Sequence, residues 1–361
     1  MAFEATKREW SELYSFLRLL SDGYIYAGTS SLEVCEEKCY KVAVLQREEH
    51  DGTRRYLIEG DNIHIVGEKV DKIVPREFFK CASDLILEAL KQASSNEIES
   101  PDGVEEFLDE IAVFDLEAKT DDRTDFYVGF WSEDAPLTGF RVFSKLAPMN
   151  PLLDGGRTAN LKFEQTGVKF ATPTVNKVNF LEGPNEVLER MRMIERLGGV
   201  LKYNDVADKV FRSNLLMMDL HFPRMLAEMI RLMYYEDITK VSELIARIKE
   251  INPLKIKDEL INKHGFYEYK MKQFLLALAL GMRPAKLFNG TDSAVEGFVF
   301  VNTQGNLVCY QKADKATFED FLFYNTRFEK GPLEKDKYGY LERENGSYYF
   351  KLNAKIGFLK R

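Results

Sequence analysis

The chain has 361 residues, 45% of them apolar, with 50 Lys+Arg against 58 Asp+Glu. That apolar share fills substantial cores, excludes a disordered chain and, at this length, suggests about two domains. A net charge of −8 argues against indiscriminate coating of nucleic acid but leaves room for a local basic cleft.

The first predicted element is a helix: Trp10, Leu13, Tyr14, Leu17 and Leu20 recur at helical spacing, and Ser21-Asp22-Gly23 ends it. Tyr40–Arg47 and Arg54–Glu59 follow as strands joined through Asp51-Gly52, a hairpin signal. Glu77–Ala93 reads as a second helix, with Phe78, Cys81, Ala82, Leu85 and Ala89 on its apolar face, and Val104–Ile111 as a short third. Ile111–Leu116, Asp125–Trp131 and Leu137–Leu146 are strand-like, the last two paired across Ser132–Pro136. The loop Ala147–Asn160 leads to a strand at Leu161–Phe170. Helices are then expected at Asn185–Leu197, Pro223–Tyr235, Ile238–Ile248 and Tyr267–Leu280, with methionines as packing filler. Short strands close the chain at Phe298–Asn302, Leu307–Gln311, Gly339–Glu342 and Tyr348–Lys355, the last pair turning at Asn345-Gly346. The order is mixed α+β: an α/β core over 1–180, a helical region over 181–285 and a small β-rich region over 286–361.

Several chemistries find little support. Four cysteines in a chain this long are no disulfide framework, which points to a reducing, cytoplasmic setting. Cys35 and Cys39 lie four apart but lack a second close pair for zinc, and His50, His64, His221 and His264 have no partner at ligand spacing. No GxSxG, Walker or dinucleotide glycine motif occurs. The opening residues carry charges where a signal peptide needs an apolar core, and the longest apolar run, Phe274 to Leu280, is far too short for a bilayer. No membrane association is expected.

Carboxylates with a nearby lysine are more informative, because phosphodiester hydrolysis needs a divalent ion held by acids and a cation near the attacking water. One set is Pro101-Asp102 followed by Glu117-Ala118-Lys119, the spelling of a PD…(D/E)xK nuclease, although Asp102 stands at a helix cap. A second is Asp125 at a strand start with Lys145 near the end of the next strand. There Arg141, Phe143 and Lys145 share one face, a pattern that an edge strand with exposed Arg and Lys also gives. Glu12 borders the apolar stripe of the first helix, either solvated or turned inward as a ligand. The last 35 residues carry nine Lys/Arg against five acids, interleaved with aromatics, which suits phosphate contact or a solvated strand face.

Three stretches together resemble the HpaII family of type II restriction endonucleases. They are Arg8–Tyr14 through Leu19–Gly23; Asp122–Asp125 with Gly139-Phe140, Ser144, Leu146, Leu152-Leu153 and Thr158–Asn160; and Ala279–Met282, Leu307–Tyr310, Phe318–Asp320, Asn325-Thr326, Phe350–Asn353 and Ile356–Phe358. The resemblance implies a restriction-endonuclease-like mixed sheet core of the PD-(D/E)xK type. It implies Mg²⁺-dependent cleavage of double-stranded DNA at CCGG, and a cognate DNA methyltransferase. By motif position, Asp125 resembles the strand acid that binds Mg²⁺, Glu12 an added metal-binding acid, and Gly139–Ala147 the strand that bears the catalytic lysine. The chain departs from the family pattern Gly-Phe-Ser-Ile-Lys-Ser: Phe143 stands at the lysine, Arg141 at the first serine, and Lys145 lies two residues on, on the same face. Asp125, Glu12 and Lys145 are the expected catalytic residues. Arg141, Arg157, Thr158 and Asn160 are the expected DNA contacts, and a palindromic target favours a homodimer. A DNA-binding relative that reads its site without cutting is the alternative.

Overall fold

A computed structural model describes residues 4–120, 123–131, 136–290 and 294–360. The chain opens with β1 (Glu4–Thr6), α1 (Lys7–Asp22), β2 (Tyr24–Gly28), β3 (Val34–Glu49), β4 (Gly52–Glu59), β5 (Asn62–Gly67) and β6 (Val70–Pro75). Next come α2 (Arg76–Gln92), β7 (Glu97–Glu99), α3 (Val104–Glu110), β8 (Phe126–Phe130) and β9 (Leu137–Ser144). The middle contains β10 (Asn160–Gly167), α4 (Thr172–Asn179), α5 (Glu186–Arg196), β11 (Gly199–Val206), α6 (Lys209–Met218) and α7 (Phe222–Glu236). It continues with α8 (Val241–Ile251), α9 (Asp258–His264) and α10 (Phe266–Ala279). The end supplies β12 (Val295–Val301), β13 (Leu307–Gln311), α11 (Lys315–Asn325), β14 (Thr326–Phe328) and α12 (Leu333–Asp336). Last are β15 (Leu341–Glu344), β16 (Ser347–Asn353) and β17 (Ile356–Phe358).

The fold is mixed α+β around one large sheet, in the order β2-β13-β12-β9-β8-β3-β4-β5-β6. Because β2 also pairs with β3, the six strands from β2 to β3 close into a barrel. The closure uses parallel pairing of β12 with β9 and of β13 with β2. Residues 286–361 therefore divide between sheets: β12 and β13 enter the barrel, while β15 and β16 join β10 and β11 in a four-stranded antiparallel sheet.

Alternation along the shared strands separates two cores. Phe140, Val299, Val301 and Cys309 face α1 and α2, whereas Phe143, Phe298, Phe300 and Tyr310 face the helical side and the second sheet. The first helix is sharply bounded. Thr6 and Glu9 form a reciprocal capping box, and Gly23, at φ 69°, closes the other end in the left-handed region. Most of α1 is buried, Ser11, Glu12 and Ser15 included, because the curved sheet and α2 enclose it on several sides.

Three expectations are corrected. The face that α2 buries is Phe79, Ala82, Ser83, Ile86 and Leu90; Phe78, Cys81 and Leu85 are exposed. Both stripes are apolar, and the one packed on α1 and α3 is set by tertiary contact. Ile111–Leu116 is not a strand; its backbone is held by side chains rather than by a neighbouring ladder. Within the expected helical region, Gly199–Val206 is a strand whose partner, β10, lies outside that region. β8 and β9 do pair antiparallel, and the connecting residues 132–135 lie outside the described residues. Among the described residues no helix is long and apolar enough to cross a membrane.

Candidate active site

A cleft of about 330 Å³ opens where the N-terminal half of α1, residues 117–120 and 123–125, strand β9 and the loop 147–154 meet. Arg8 and Ser11 line it from α1; Glu117, Thr120, Arg123 and Asp125 from the residues before β8; Arg141 and Ser144 from β9; Asn150 and Asp154 from the loop. The cleft therefore mixes carboxylates with guanidinium groups, the composition expected where a metal or phosphate is handled.

Asp125 sits just before β8 and is clamped to β9. Its backbone N–H donates to the Phe140 carbonyl at 2.8 Å, and its Oδ2 accepts the Val142 N–H at 2.6 Å. Gly139 makes this approach possible: a Cβ there would lie 2.3 Å from the Ala294 carbonyl oxygen and 2.4 Å from Thr124 Cγ2. Burial raises the Asp125 pKa, opposed by the Val142 N–H and by Arg141 and Arg8.

Glu12 is buried and turned inward. Its Oε1 accepts the Ala118 N–H at 3.3 Å and lies 3.9 Å from Arg47 Nη2. Its pKa is raised well above the usual carboxylate range, first by burial and then by the negative charge of Asp125. Arg47 and Arg8 oppose the rise without cancelling it. Two carboxylates that disfavour each other's charge are thus brought together from α1 and the edge of β8.

The segment that delivers Ala118 and Glu117 is fixed by a buried ion pair on β3. Glu49 Oε2 accepts the N–H groups of Phe114 and Asp115 at 3.0 and 2.8 Å. Arg47, paired with Glu49, donates to the carbonyls of Asp115 and Leu116 at 2.6 and 3.0 Å. The Tyr56 hydroxyl holds the Ile111 carbonyl at 3.0 Å. Charged side chains replace a β-ladder here, which is why strand-like periodicity at 111–116 misleads.

Of the remaining expected residues, Lys145, Arg157, Thr158 and Asn160 do not line the cleft. Lys145 Nζ donates to the Leu359 carbonyl at 2.6 Å and lies 6.0 Å from the Phe300 ring. Phe143 is buried against Phe298, Phe300 and Phe358, at 4.7, 5.9 and 4.8 Å between ring centres. Arg157 is exposed and bonds the Lys335 carbonyl, and Thr158 is half-buried in a short 3₁₀ turn. Asn160 is buried: its amide donates to the carbonyls of Asp336 and Lys337, and its oxygen accepts from Asn353. Of the literal nuclease pattern, Glu117 lines the cleft, whereas Asp102 stands in the exposed turn before α3 and Lys119 faces Asp115 at 3.7 Å.

Sequence reasoning passed over Arg8, Arg123 and Asp154 as site residues. Arg8 had a signal, since it precedes Glu12 by four residues and shares its helix face; it ion-pairs with Glu117 at 3.0 Å. Among the described residues no group of three His, Cys, Asp or Glu side chains is gathered to hold a metal, Cys35 and Cys39 included.

The sequence model of the family described as HpaII restriction endonuclease matches residues 6–358. The chain is also 30% identical, over 362 aligned positions covering 99% of each protein, to the type II restriction enzyme HpaII of Haemophilus parainfluenzae. No solved structure matches it significantly. With its sequence matched from the capping box of α1 to the last strand, the chain belongs to the HpaII restriction endonuclease family.

Proposed function

We propose that the protein is a type II restriction endonuclease that hydrolyses phosphodiester bonds of duplex DNA at CCGG with Mg²⁺. The observation that carries this reading is the Glu12–Asp125 pair: two acids, each with a raised pKa, of which Asp125 lines a cleft that also holds arginines and Glu12 is buried behind it. Such a pair suits a hard divalent cation, which relieves their repulsion and takes oxygen donors; Mg²⁺ commonly uses one or two carboxylates and fills its remaining positions with water and phosphate oxygens. Glu12 and Asp125 would hold it, and bound there it would supply Lewis acidity toward phosphate and water.

The chain's own groups do the rest. The Val142 N–H fixes the Asp125 carboxylate, the Phe140 carbonyl holds the Asp125 backbone N–H, and the Ala118 N–H fixes Glu12. Arg8 holds Glu117 at the cleft rim, so that this third acid is already neutralised. The family's DNA cleavage supports a homodimer on a palindromic site, a methyltransferase as genetic partner and a cytoplasmic setting. A PD-(D/E)xK lineage fits the acids but not the strand order alone.

A second reading, a relative that binds DNA without cutting, is favoured by one observation. β9 presents no lysine to the cleft, because Phe143 is in the core and Lys145 is held by Leu359. The deciding experiment is digestion of unmethylated plasmid with Mg²⁺, beside EDTA and Asp125→Ala controls. Discrete fragments with CCGG at their ends, lost in both controls, support the enzyme. Intact plasmid with retained CCGG binding supports the second reading.

A further inference from the structure

Arg141 is the unusual cation of the cleft. Of the other arginines that line it, Arg8 is paired with Glu117 and Arg123 is exposed. Among the described residues, the guanidinium of Arg141 has neither a hydrogen bond nor a carboxylate within ion-pair distance. Its nearest company is the Phe143 ring, whose centre lies 4.9 Å from Cζ. Asp125 attracts it through space but spends Oδ2 on the Val142 N–H. Withdrawing a cation from water without a partner is costly unless an anion completes the site. The half-buried guanidinium has its pKa lowered, first by burial and then by repulsion from Arg123, Arg8 and Arg283.

Strand geometry explains why this side chain stays in the cleft. Arg141 and Phe143 are two apart on β9 and share a face. The Phe143 ring is locked by three neighbouring aromatic rings, so it offers a rigid platform for a flat cation. An arginine fork also meets two oxygens of one phosphate with parallel coplanar N–H groups, a geometry that an ammonium lacks.

We propose that Arg141 is the phosphate-binding cation of this cleft, its guanidinium taking two oxygens of the scissile phosphodiester beside Asp125 in the place expected for a lysine of β9. The inference rests on the nuclease reading for the identity of the phosphate, but not for the existence of the anion site. Phe143 becomes a positioning residue that holds Arg141 flat.

The test uses the full chain in EDTA, so that binding is read without cleavage. Duplexes containing CCGG carry a neutral methylphosphonate at each phosphate of the site in turn. Wild type should lose about tenfold or more in affinity at one position, as expected for a charge-assisted hydrogen bond removed. Arg141→Met should bind the unmodified duplex more weakly and become indifferent to that position, and Arg141→Lys should regain part of the discrimination. A variant Arg141→Met that discriminates like wild type overturns the proposal, as does loss of discrimination in Lys145→Met instead. A second arm measures melting with inorganic phosphate, which should stabilise wild type and not Arg141→Met. If wild type neither binds nor cuts CCGG but keeps this phosphate response, the anion site stands and the nuclease reading falls. Equal phosphate responses in the two proteins overturn the anion site.

Discussion

The cleft and the four-stranded sheet are both rich in charge, and both held residues expected to meet DNA, yet they treat charge in opposite ways. In the sheet, Lys162 lies opposite Lys351 in the β10–β16 register, a like-charge pair. Glu344 resolves it, with one oxygen 2.8 Å from Lys162 and the other 3.4 Å from Lys351. Lys351 also meets Glu342, and Asn160 is satisfied by two carbonyls and Asn353. At the cleft, Asp125 confronts the buried Glu12 and an arginine rests on a phenylalanine ring. Charges that close on themselves hold strands together; the mismatched charges of the cleft are the ones the proposed cation and phosphate would complete.

The largest expected effect breaks the mismatched side. Asp125→Ala should lower Mg²⁺-dependent cleavage of CCGG DNA by on the order of 10²–10³ or more, with the melting transition retained. Fragment yield and melting on the same preparation check this, and full activity in the variant would remove Asp125 from the chemistry. Gly139→Ala strikes the geometry rather than the charge. The added methyl meets the Ala294 carbonyl, so a loss of about 1–3 kcal/mol in denaturant stability is expected, with activity falling alongside it. Asn160→Ala tests the closed side. It leaves buried carbonyls without donors and should cost about 1–3 kcal/mol, while preference for CCGG over mismatched sites stays unchanged. Altered site preference in a stable variant would instead make Asn160 a base reader.

Glu12 gives a pH test. Its folded pKa is raised, so the folded state holds a proton that the unfolded state has lost. Stability of the metal-free protein should therefore fall as pH rises from the ordinary carboxylate range toward the raised value, and Glu12→Gln should flatten that decline. Melting scanned against pH with and without Mg²⁺ reads it, because the cation should offset the loss once Glu12 is ionised. The smallest effect belongs to Lys351→Met. With two acids beside it on a partly exposed sheet, it should change stability by less than about 1 kcal/mol and leave the salt dependence of DNA binding unaltered.

Legibility in the sequence followed the range of the interaction that decides each feature. The stripe from Trp10 to Leu20 showed α1 because a helix buries what its own period aligns. Asp125 stood out as an acid opening an alternating strand, and the β15–β16 turn was readable because Asn345 and Gly346 both take positive φ. Glu12 showed only as a border residue, since its burial depends on Ala118 and Arg47, far along the chain. The Arg47–Glu49 pair was invisible for the same reason: its purpose is to hold backbone more than sixty residues away. The face of α2 was misread because Phe78, Cys81 and Leu85 form as good a stripe as the buried one, and only packing against α1 chooses between them. Lys145 follows the last residue of β9, and no local pattern announces that the Leu359 carbonyl takes its ammonium.

The barrel closes through a seam of very modest length. β2 meets β13 at only two paired positions, Tyr26 with Val308 and Ala27 with Cys309, whereas β12 and β9 pair along most of their length. A ring with one short seam behaves as a clasp. Its amides should exchange with solvent ahead of those in β12, because the local opening free energy follows the number of bonds that must break together. Releasing the clasp would open the ring without unfolding it, because β2, tied to α1 through Gly23, stays paired with β3 from Tyr24 to Gly28.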